Sequence, residues 1–476
     1  MAVTTGQVEG DISVLAPSVT PRTSIERLRR KMGRSPRYPL TILTLVFAVN
    51  VAHTSMLPAV FPLLKVEFHL SDTALGVLGS SFLIFASLGL VPFAIAADRY
   101  SRTTIIAWAS VLWGALMLFI STAGSYGRIF VGRTLLGITD PAEQPTSYSL
   151  LADYYQVEER GRVYAVWNIG QLAGVLMIPV GGALADAYGW RAALNFFAIP
   201  AFILAILVWR LEEPERGGTD RQHEARRRGD PRADEPLPQM EVEASRESVR
   251  TAVAGYLQLL RIPTLMVALT GIGLQSFFTR GLGVWLAVFF VRFYDMSLTQ
   301  ATGLVALLAL GALIGSLGGG YLGDYLTNVR EMRAGRIRLA GVSSMTSAVF
   351  LFVAFSQNNV WVMMVLFFIG AVLVFPPQPL LQAVIANVVH PRLRGRGASM
   401  DTFIQTLMGA TSIFIYGVLS DAVGLRTAML GVVPVIAVGG FIVFTLGPRY
   451  LPGDEDRVRE QLGADLDQME GALSER

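Results

Sequence analysis

Cysteine is absent from this 476-residue chain, and charged residues are scarce at 16%. Without cysteine the protein can form no disulfide, no thiolate metal site and no cysteine nucleophile. Soluble domains carry roughly 25% charged residues, so this deficit argues against a chain of soluble domains. The four histidines show no metal-ligand spacing. We therefore expect neither a metal site nor a cofactor.

Nucleotide-binding and targeting signals are missing as well. No P-loop or dinucleotide-type glycine pattern precedes a helix in a βαβ unit, so the sequence indicates neither ATP-driven work nor an enzyme. Residues 1–37 are polar and basic, with no apolar run before Tyr38. This composition predicts a cytoplasmic tail and no cleaved signal peptide. We expect no nucleic-acid partner.

Apolar runs of about 20 residues, the length that spans a bilayer, make up most of the chain. Twelve runs are predicted, and the fold class is therefore an all-α integral membrane protein with two six-helix pseudo-repeats. The runs lie near residues 39–62, 73–97, 104–122, 128–151, 163–185, 191–210, 263–291, 299–323, 337–355, 359–386, 396–419 and 427–447. We number them spans 1 to 12.

One polar break separates the two halves. Residues 211–248 are rich in Arg, Glu, Asp, Pro and Gly and cannot bury a core, which predicts a flexible linker. A short amphipathic helix is expected at residues 248–260, and a surface helix after residue 453. The predicted domains are a tail (1–37), an N-terminal bundle (38–210), a linker (211–260), a C-terminal bundle (261–448) and a second tail (449–476).

Arginine is concentrated in the loops after spans 2, 4, 8 and 10, whereas the opposite loops hold little. The positive-inside rule then places both termini and the linker in the cytoplasm. We expect a multi-pass protein of the inner (plasma) membrane.

The two halves resemble each other in sequence. Residues 186–194 (DAYGWRAAL) match residues 421–429 (DAVGLRTAM), and Arg-Gly-Arg at 160–162 recurs at 394–396. Asp98 after span 2 matches Asp324 after span 8. Parallel six-span repeats are typical of membrane transporters.

Several motifs resemble those of the major facilitator superfamily. The loop ADRYSR at 97–102 is similar to the signature between spans 2 and 3, and GYLGD at 320–324 to its copy in the second half. Arg133 followed by Gly137 resembles the family's span-4 pair. The resemblance implies alternating access around a cavity lined by spans 1, 4, 7 and 10. It also implies that Asp98, Arg102 and the loop of Asp324 take part in gating.

Within that superfamily the chain resembles the spinster group. The residues that carry this resemblance are 70–76, ADRYSR, Phe277, Gly281, Leu282, Trp285, 386–396 and 420–421. The resemblance implies lysophospholipid or sphingoid-phosphate substrates, commonly with proton coupling. Span 1 departs from the group, because Asn50–Thr54 lacks its usual Asp-Arg pair. Span 7 carries Arg280 where we expect glycine.

Asp140 and Glu143 lie in the middle of span 4, and Pro141 and Pro145 break the backbone hydrogen-bond ladder on either side of Glu143. A charged residue at membrane depth costs roughly 2.5–3.5 kcal/mol and usually marks an ion or substrate pathway. We expect the two acids to form a substrate or proton site. The alternative is that Asp140 supports a helix kink and Glu143 is a packed structural acid.

Arg280 and His53 fall near the same depth as the two acids. Arg280 is predicted either to pair with Asp140 or Glu143 or to clamp a phosphate or carboxylate, and His53 to titrate nearby. The alternatives are a structural ion pair for Arg280 and a hydrogen-bonded core residue for His53.

Five further residues are candidates for the cavity or its gate. Gln378 and Gln382, one turn apart in span 10, are expected to face the cavity or to support a kink beside neighbouring prolines. Trp285 is a candidate lining residue, although buried aromatics more often only pack. Asp153 is a predicted partner of Arg102, and Arg133 completes the gating set.

Taken together, these features predict a monomeric secondary transporter that moves an amphipathic anionic small molecule or lysolipid across the membrane by alternating access, coupled to protons, within membrane lipids. One alternative is a drug or organic-anion proton antiporter. The other is a membrane sensor that keeps the fold without transport.

Overall fold

A computed structural model describes residues 37–156, 159–220, 223 and 255–474. Within these residues the helices follow the predicted apolar runs, and the all-α fold is confirmed. Spans 1 to 12 are Tyr38–Ala59, Asp72–Arg99, Arg102–Ser121, 126–154, Arg160–Tyr188, Trp190–Trp209, Pro263–Tyr294, Leu298–Asp324, Gly335–Ser356, Val360–Val388, Arg394–Val423 and Leu425–Ser474. Short helices at Phe61–Phe68 and Pro391–Leu393 follow spans 1 and 10 along the chain.

In the described ranges, eleven helices are long and apolar enough to cross a membrane, and span 4 is the crossing that does not qualify. It consists of Tyr126–Thr139, a 3₁₀ turn at Asp140–Ala142 and a helix from Gln144 to Tyr154. Pro141 and Pro145 lack the backbone N–H that a continuous helix would use there. The predicted break is therefore present, and it occurs at the two acids.

Other spans bend near the middle of the bundle as well. Span 5 is interrupted at Met177, ahead of Pro179, and span 10 between Val374 and Pro377. A polar backbone group freed by such a break is tolerated at membrane depth only where protein or a cavity covers it. The breaks therefore indicate where the interior of the bundle lies.

The halves meet through two equivalent helix pairs, spans 2 and 11 and spans 5 and 8. Glycines permit the close approach, since a Cβ on Gly76 would lie 3.0 Å from the carbonyl oxygen of Ile413. A Cβ on Gly182 would lie 3.0 Å from the carbonyl oxygen of Leu298. The largest apolar cluster includes residues of both halves, among them Phe61, Trp190, Trp285 and Phe355.

The start of the predicted linker is attached to the N-terminal bundle. Leu211 is buried, and Arg216 donates to the carbonyl oxygens of Ala97 and Tyr100 at 2.6 and 2.8 Å. The linker prediction had treated this stretch as flexible, because composition does not show such contacts. Residues 224–254 lie outside the described residues.

At the other end of the chain the structure differs from the sequence-based expectation of a separate surface helix. Span 12 continues as one helix to Ser474. Asp454, in the part of this helix beyond the membrane span, holds it against span 7, because its carboxylate accepts a hydrogen bond from the backbone N–H of Thr264 at 2.9 Å. The extension thereby caps the start of span 7. The predicted amphipathic helix at 248–260 is helical at 255–259, and its beginning lies outside the described residues.

Candidate functional site

Two adjoining cavities lie between the halves. The larger has a volume of 660 Å³ and is lined mainly by apolar side chains of spans 5, 7, 8 and 10. Its polar lining residues are Asn168, Gln171, Thr279, Ser316, Gln378 and Gln382. The smaller, of 270 Å³, is bordered by spans 1, 2, 4, 5, 7, 8 and 11. Both are lined by Thr279, Gly283 and Val305, so the two cavities are neighbours in the central region of the bundle.

Arg133 and Arg280 both line the smaller cavity. Arg133 is 3% exposed and stacks over the ring of Phe82 at 4.2 Å, and its Nε and one terminal nitrogen are buried without a partner in the described part of the chain. Arg280 is exposed to the cavity. The aliphatic part of its side chain packs against Gly409, because a Cβ at that position would lie only 2.8 Å from the Arg280 Cγ. Two guanidinium groups with free donors make this cavity suited to an anion.

The two acids of span 4 take different partners. Asp140 is half-buried and accepts a hydrogen bond from the Asn50 side chain at 3.2 Å. Glu143 is 1% exposed and accepts from the hydroxyl of Ser147 at 2.8 Å. Among the described residues neither acid forms an ion pair with Arg280, which leaves the other predicted alternative, an anion clamp, as the role to be tested. Both arginines still act electrostatically on Asp140.

His53 and Trp285 do not line either of these cavities. His53 is fully buried, with Nδ1 2.6 Å from the carbonyl oxygen of Asn50 and its ring edge-on to Trp113. Trp285 is also fully buried and donates from Nε1 to the carbonyl oxygen of Ile413 at 3.1 Å. Both contacts match the alternative that the sequence left open, a hydrogen-bonded histidine and a packed aromatic.

Gln378 and Gln382 line the larger cavity, as the sequence predicts. Their side chains also join a network that the sequence does not reveal. Gln378 donates to Gln405 at 3.3 Å, and both Gln382 and Gln405 donate to Asp401, at 3.1 and 2.9 Å. The buried carboxylate of Asp401 thus holds, through hydrogen bonds, the glutamine side chains that form this wall of the cavity.

A cluster of polar side chains joins the halves at the end of the bundle where span 2 begins, called here the Asp72 end. Asp72 is 2% exposed, and both of its oxygens are 2.6 Å from the guanidinium of Arg292 in span 7. Lys65 donates to the same carboxylate at 2.6 Å, and Ser420 of span 11 at 2.5 Å. Arg292 and Ser420 belong to the other half, so this cluster joins the halves.

Two more aspartates join the halves at the Asp72 end. Asp421 at the end of span 11 accepts from the backbone N–H groups of Asp72 and Thr73, at 2.9 and 2.7 Å. Asp186 at the end of span 5 accepts in the same way from the N–H groups of Leu298 and Thr299, at 3.1 and 2.7 Å. Each half therefore caps a helix of the other, and the capping aspartates are the first residues of the repeated DAYG and DAVG segments.

Comparison with known proteins settles the family. The family model described as Major Facilitator Superfamily matches residues 43–413, most of the chain. The chain belongs to the major facilitator superfamily. It is therefore a multi-pass membrane protein from a superfamily of transporters.

Similar proteins place it beside the spinster group of the superfamily. An MFS-type efflux pump of Mycolicibacterium smegmatis is 26% identical over 389 residues, covering 80% of this chain and 83% of that protein. The probable sphingolipid transporter spinster homolog 1 of Arabidopsis thaliana is 23% identical over 373 residues, 75% of this chain and 73% of the relative. A crystal structure of a bacterial homolog of the human lysosomal transporter spinster, inward-facing and unoccupied, has a TM-score of 0.76 and 21% identity over 88% of this chain and 98% of its own. The predicted resemblance is confirmed.

The superfamily loop after span 2 lies at the opposite end, called here the Arg102 end. Arg102 is 2% exposed and donates to Asp153 at 2.5 Å and to Glu213 at 2.7 Å. Burial alone would raise the pKa of Glu213, but hydrogen bonds from Thr103 N–H and Arg102 hold that pKa below its ordinary value. All of these partners lie in the N-terminal half or the linker, so the Arg102–Asp153 pair does not join the two halves in this conformation.

The remaining gating candidates are distributed between the halves. Asp324, the second-half counterpart of Asp98, accepts from Arg336 of its own half at 2.7 Å. Asp98 lies in span 2, and its side chain is outside the described residues. The cross-half polar contacts named above are thus all at the Asp72 end.

Proposed function

We propose that this protein is a secondary transporter that moves an amphipathic anion of the lysolipid kind by alternating access between its two halves. One observation carries this proposal: an apolar cavity of 660 Å³ lies next to a smaller cavity that presents Arg133 and Arg280. The first suits an acyl chain and the second a phosphate or carboxylate. The printed name of the Arabidopsis relative, a probable sphingolipid transporter, supports the same substrate class.

The conformation and the orientation belong to this proposal. Arginine placement puts the Arg102 end, both termini and the linker in the cytoplasm of a plasma membrane. The Asp72 end would then face outward, and the structure would be inward-facing, with its outer end closed by the Asp72 cluster. We expect the protein to function as a monomer in membrane lipids.

The experiment that tests the proposal is flux of a labelled lysolipid in proteoliposomes, with and without a pH gradient. Uptake or counterflow above that of empty liposomes is the expected result. Binding without any flux would instead favour a membrane sensor, and the absence of both would overturn the proposal.

A drug or organic-anion proton antiporter is the second candidate. It is favoured by the 26% identity to the M. smegmatis efflux pump. Competition separates the two candidates, because a drug antiporter should exchange organic anions that lack an acyl chain at least as fast as lysolipid.

Proton coupling is assigned in this proposal to Asp140 and Glu143. Asp140→Asn and Glu143→Gln remove the group that can take up and release a proton but preserve its shape. We expect each change to reduce the pH dependence of flux several-fold, with the larger loss at Asp140, because Asn50 and the cavity arginines surround it. An unaltered pH profile in both variants would contradict a proton role for the pair. Thr139→Val, which removes a hydroxyl bonded to its own helix, is the matched control.

Gly409 is expected to control where Arg280 lies. A methyl group at this position would come 2.8 Å from Arg280 Cγ and 3.1 Å from its Cβ, so Gly409→Ala should displace the guanidinium from the cavity. We expect the apparent KM for an anionic lysolipid to rise by roughly threefold to tenfold, with little change for a neutral amphiphile. Gly431→Ala in span 12, where a Cβ would meet nothing within 4 Å, is the control. Equal effects on both substrates would show that Gly409 acts only through packing.

A further inference from the structure

Asp401 is a buried charge that the sequence did not assign to the site. It lies in span 11, is 6% exposed, and forms no ion pair among the described residues. Two side-chain amides, those of Gln382 and Gln405, donate to its Oδ2. Its Oδ1 is buried without a hydrogen-bond partner in the described ranges. A carboxylate buried at such cost with only amide partners calls for a function beyond packing.

The carboxylate determines how the glutamine side chains are oriented. An ionised carboxylate only accepts hydrogen bonds, so each glutamine that reaches it has to present its NH₂ group. Gln405 directs its NH₂ to Asp401 and therefore offers its Oε1 to Gln378. Gln378 in turn has to direct its NH₂ toward Gln405, at 3.3 Å. One charge thus orients three amides.

This orientation leaves two carbonyl oxygens for the cavity. Gln378 and Gln382 both line the 660 Å³ cavity, and in the described part of the chain the Oε1 of neither is bonded. The two side chains are one helical turn apart on span 10. The cavity wall therefore presents a pair of acceptors, backed by a negative charge in a region of low dielectric constant.

We propose that Asp401 is a positioning residue that holds Gln378 and Gln382 as paired acceptors for a substrate headgroup that carries N–H donors. This inference rests on the proposed transport of an amphipathic anion and adds a second requirement to it. Arg133 and Arg280 hold the anionic group, and the glutamine pair selects a primary ammonium group on the same molecule. A ligand without such donors leaves two acceptors unpaired in a desolvated site.

A series of lysolipids with equal acyl chains tests this. Lysophosphatidylethanolamine has three N–H donors, its N,N-dimethyl derivative has one, and lysophosphatidylcholine has none, at the same net charge. We expect the full-length wild-type protein to bind the first about tenfold more tightly than the last, with the dimethyl lipid between them. Binding is measured by competition against a labelled lysolipid in detergent and in proteoliposomes.

Asp401→Asn is nearly isosteric, but its amide no longer forces both glutamines to present NH₂ groups. We expect the ethanolamine-to-choline ratio to fall toward one while the affinity for the choline lipid is unchanged. Gln382→Leu should reduce the ratio in the same way. Thr402→Val, on the exposed side of the same helix where the hydroxyl bonds only the Ala398 carbonyl oxygen, should retain the wild-type ratio.

The outcomes are distinct. Equal wild-type affinity for the three lipids, or an unchanged ratio in a folded Asp401→Asn protein, would overturn this inference and leave transport of amphipathic anions standing. Failure of the wild-type protein to bind any of the lipids would overturn both. A parallel loss of affinity for all three lipids in Asp401→Asn would show that Asp401 is only structural, and would overturn the inference as well.

Discussion

Replacing Arg280 with alanine is expected to raise the apparent KM for an anionic lysolipid by about 10- to 100-fold and to leave a neutral amphiphile of equal length nearly unaffected. A hydrogen bond to a charged group contributes about 1.5–3 kcal/mol, and each 1.4 kcal/mol is a factor of ten. Arg280 is exposed to the smaller cavity and forms no ion pair among the described residues, so its charge is available to a ligand.

The geometry makes this effect specific to charge. Arg280 packs its stem on Gly409, and its removal leaves the apolar lining of the larger cavity in place. Arg280→Lys should recover part of the loss, because lysine restores the charge without the planar fork that binds two oxygens. The measurement is concentration-dependent flux of the anionic and the neutral substrate in the same proteoliposome preparation.

Arg128→Ala is a matched control for this experiment, since it removes an exposed arginine from span 4 that bonds Thr122 and stacks on Phe119. It should change neither KM. If Arg280→Ala weakened transport of both substrates equally, Arg280 would be a structural residue and the anion site would lie elsewhere.

Asp72→Asn is expected to weaken the contact between the halves at the Asp72 end. The equilibrium constant between the conformation closed at that end and the one open there should shift toward the open form by about 10- to 100-fold. Breaking a buried ion pair by removing one partner costs about 3–5 kcal/mol. Arg292 and Lys65 have side chains 26% and 34% exposed and can regain water, so we expect about 1.5–3 kcal/mol here. The Arg292 and Ser420 bonds exist only when the halves meet, so this energy acts on the conformational equilibrium.

The opening of the Asp72 end can be measured with a single introduced cysteine, because the natural chain contains none. Ser55 lines the smaller cavity, and we expect a membrane-impermeant maleimide to label Ser55→Cys slowly from the Asp72 side. Adding Asp72→Asn should accelerate labelling at least tenfold from that side. Right-side-out and inverted vesicles determine which side this is, and so test the proposed orientation independently.

Lys65→Gln is the control for the labelling experiment. It removes a salt bridge to the same carboxylate, but Lys65 and Asp72 belong to one half, so the bond does not depend on closure. We expect little change in labelling rate. Equal labelling of the Asp72→Asn and parent proteins would show that the cluster does not hold the halves together.

The sequence determined the number and length of the membrane helices for a direct physical reason. A backbone in lipid has to satisfy its own hydrogen bonds, so every crossing is a helix of about 20 apolar residues. The span limits agree with the apolar runs to within a few residues, apart from the continuation of span 12. Pro141 and Pro145 likewise fixed the break in span 4, because proline has no N–H to donate.

The sequence also identified Arg280, Gln378 and Gln382, which line the cavities. Polar side chains in otherwise apolar runs are conspicuous, and their depth follows from their position along the span. Asp186 and Asp421 stood out for another reason, the repeated segments they begin, although the sequence did not show that each caps a helix of the opposite half.

Only the tertiary structure decided which polar groups meet. Asp140 bonds Asn50 and not Arg280, His53 turns toward Trp113, and Asp72 joins Arg292, which is far away in the chain. Depth along a span can be read from the sequence, but the rotation of each helix about its axis is set by packing against its neighbours. The same holds for Asp401, whose place behind Gln382 depends on how span 11 is rotated toward span 10.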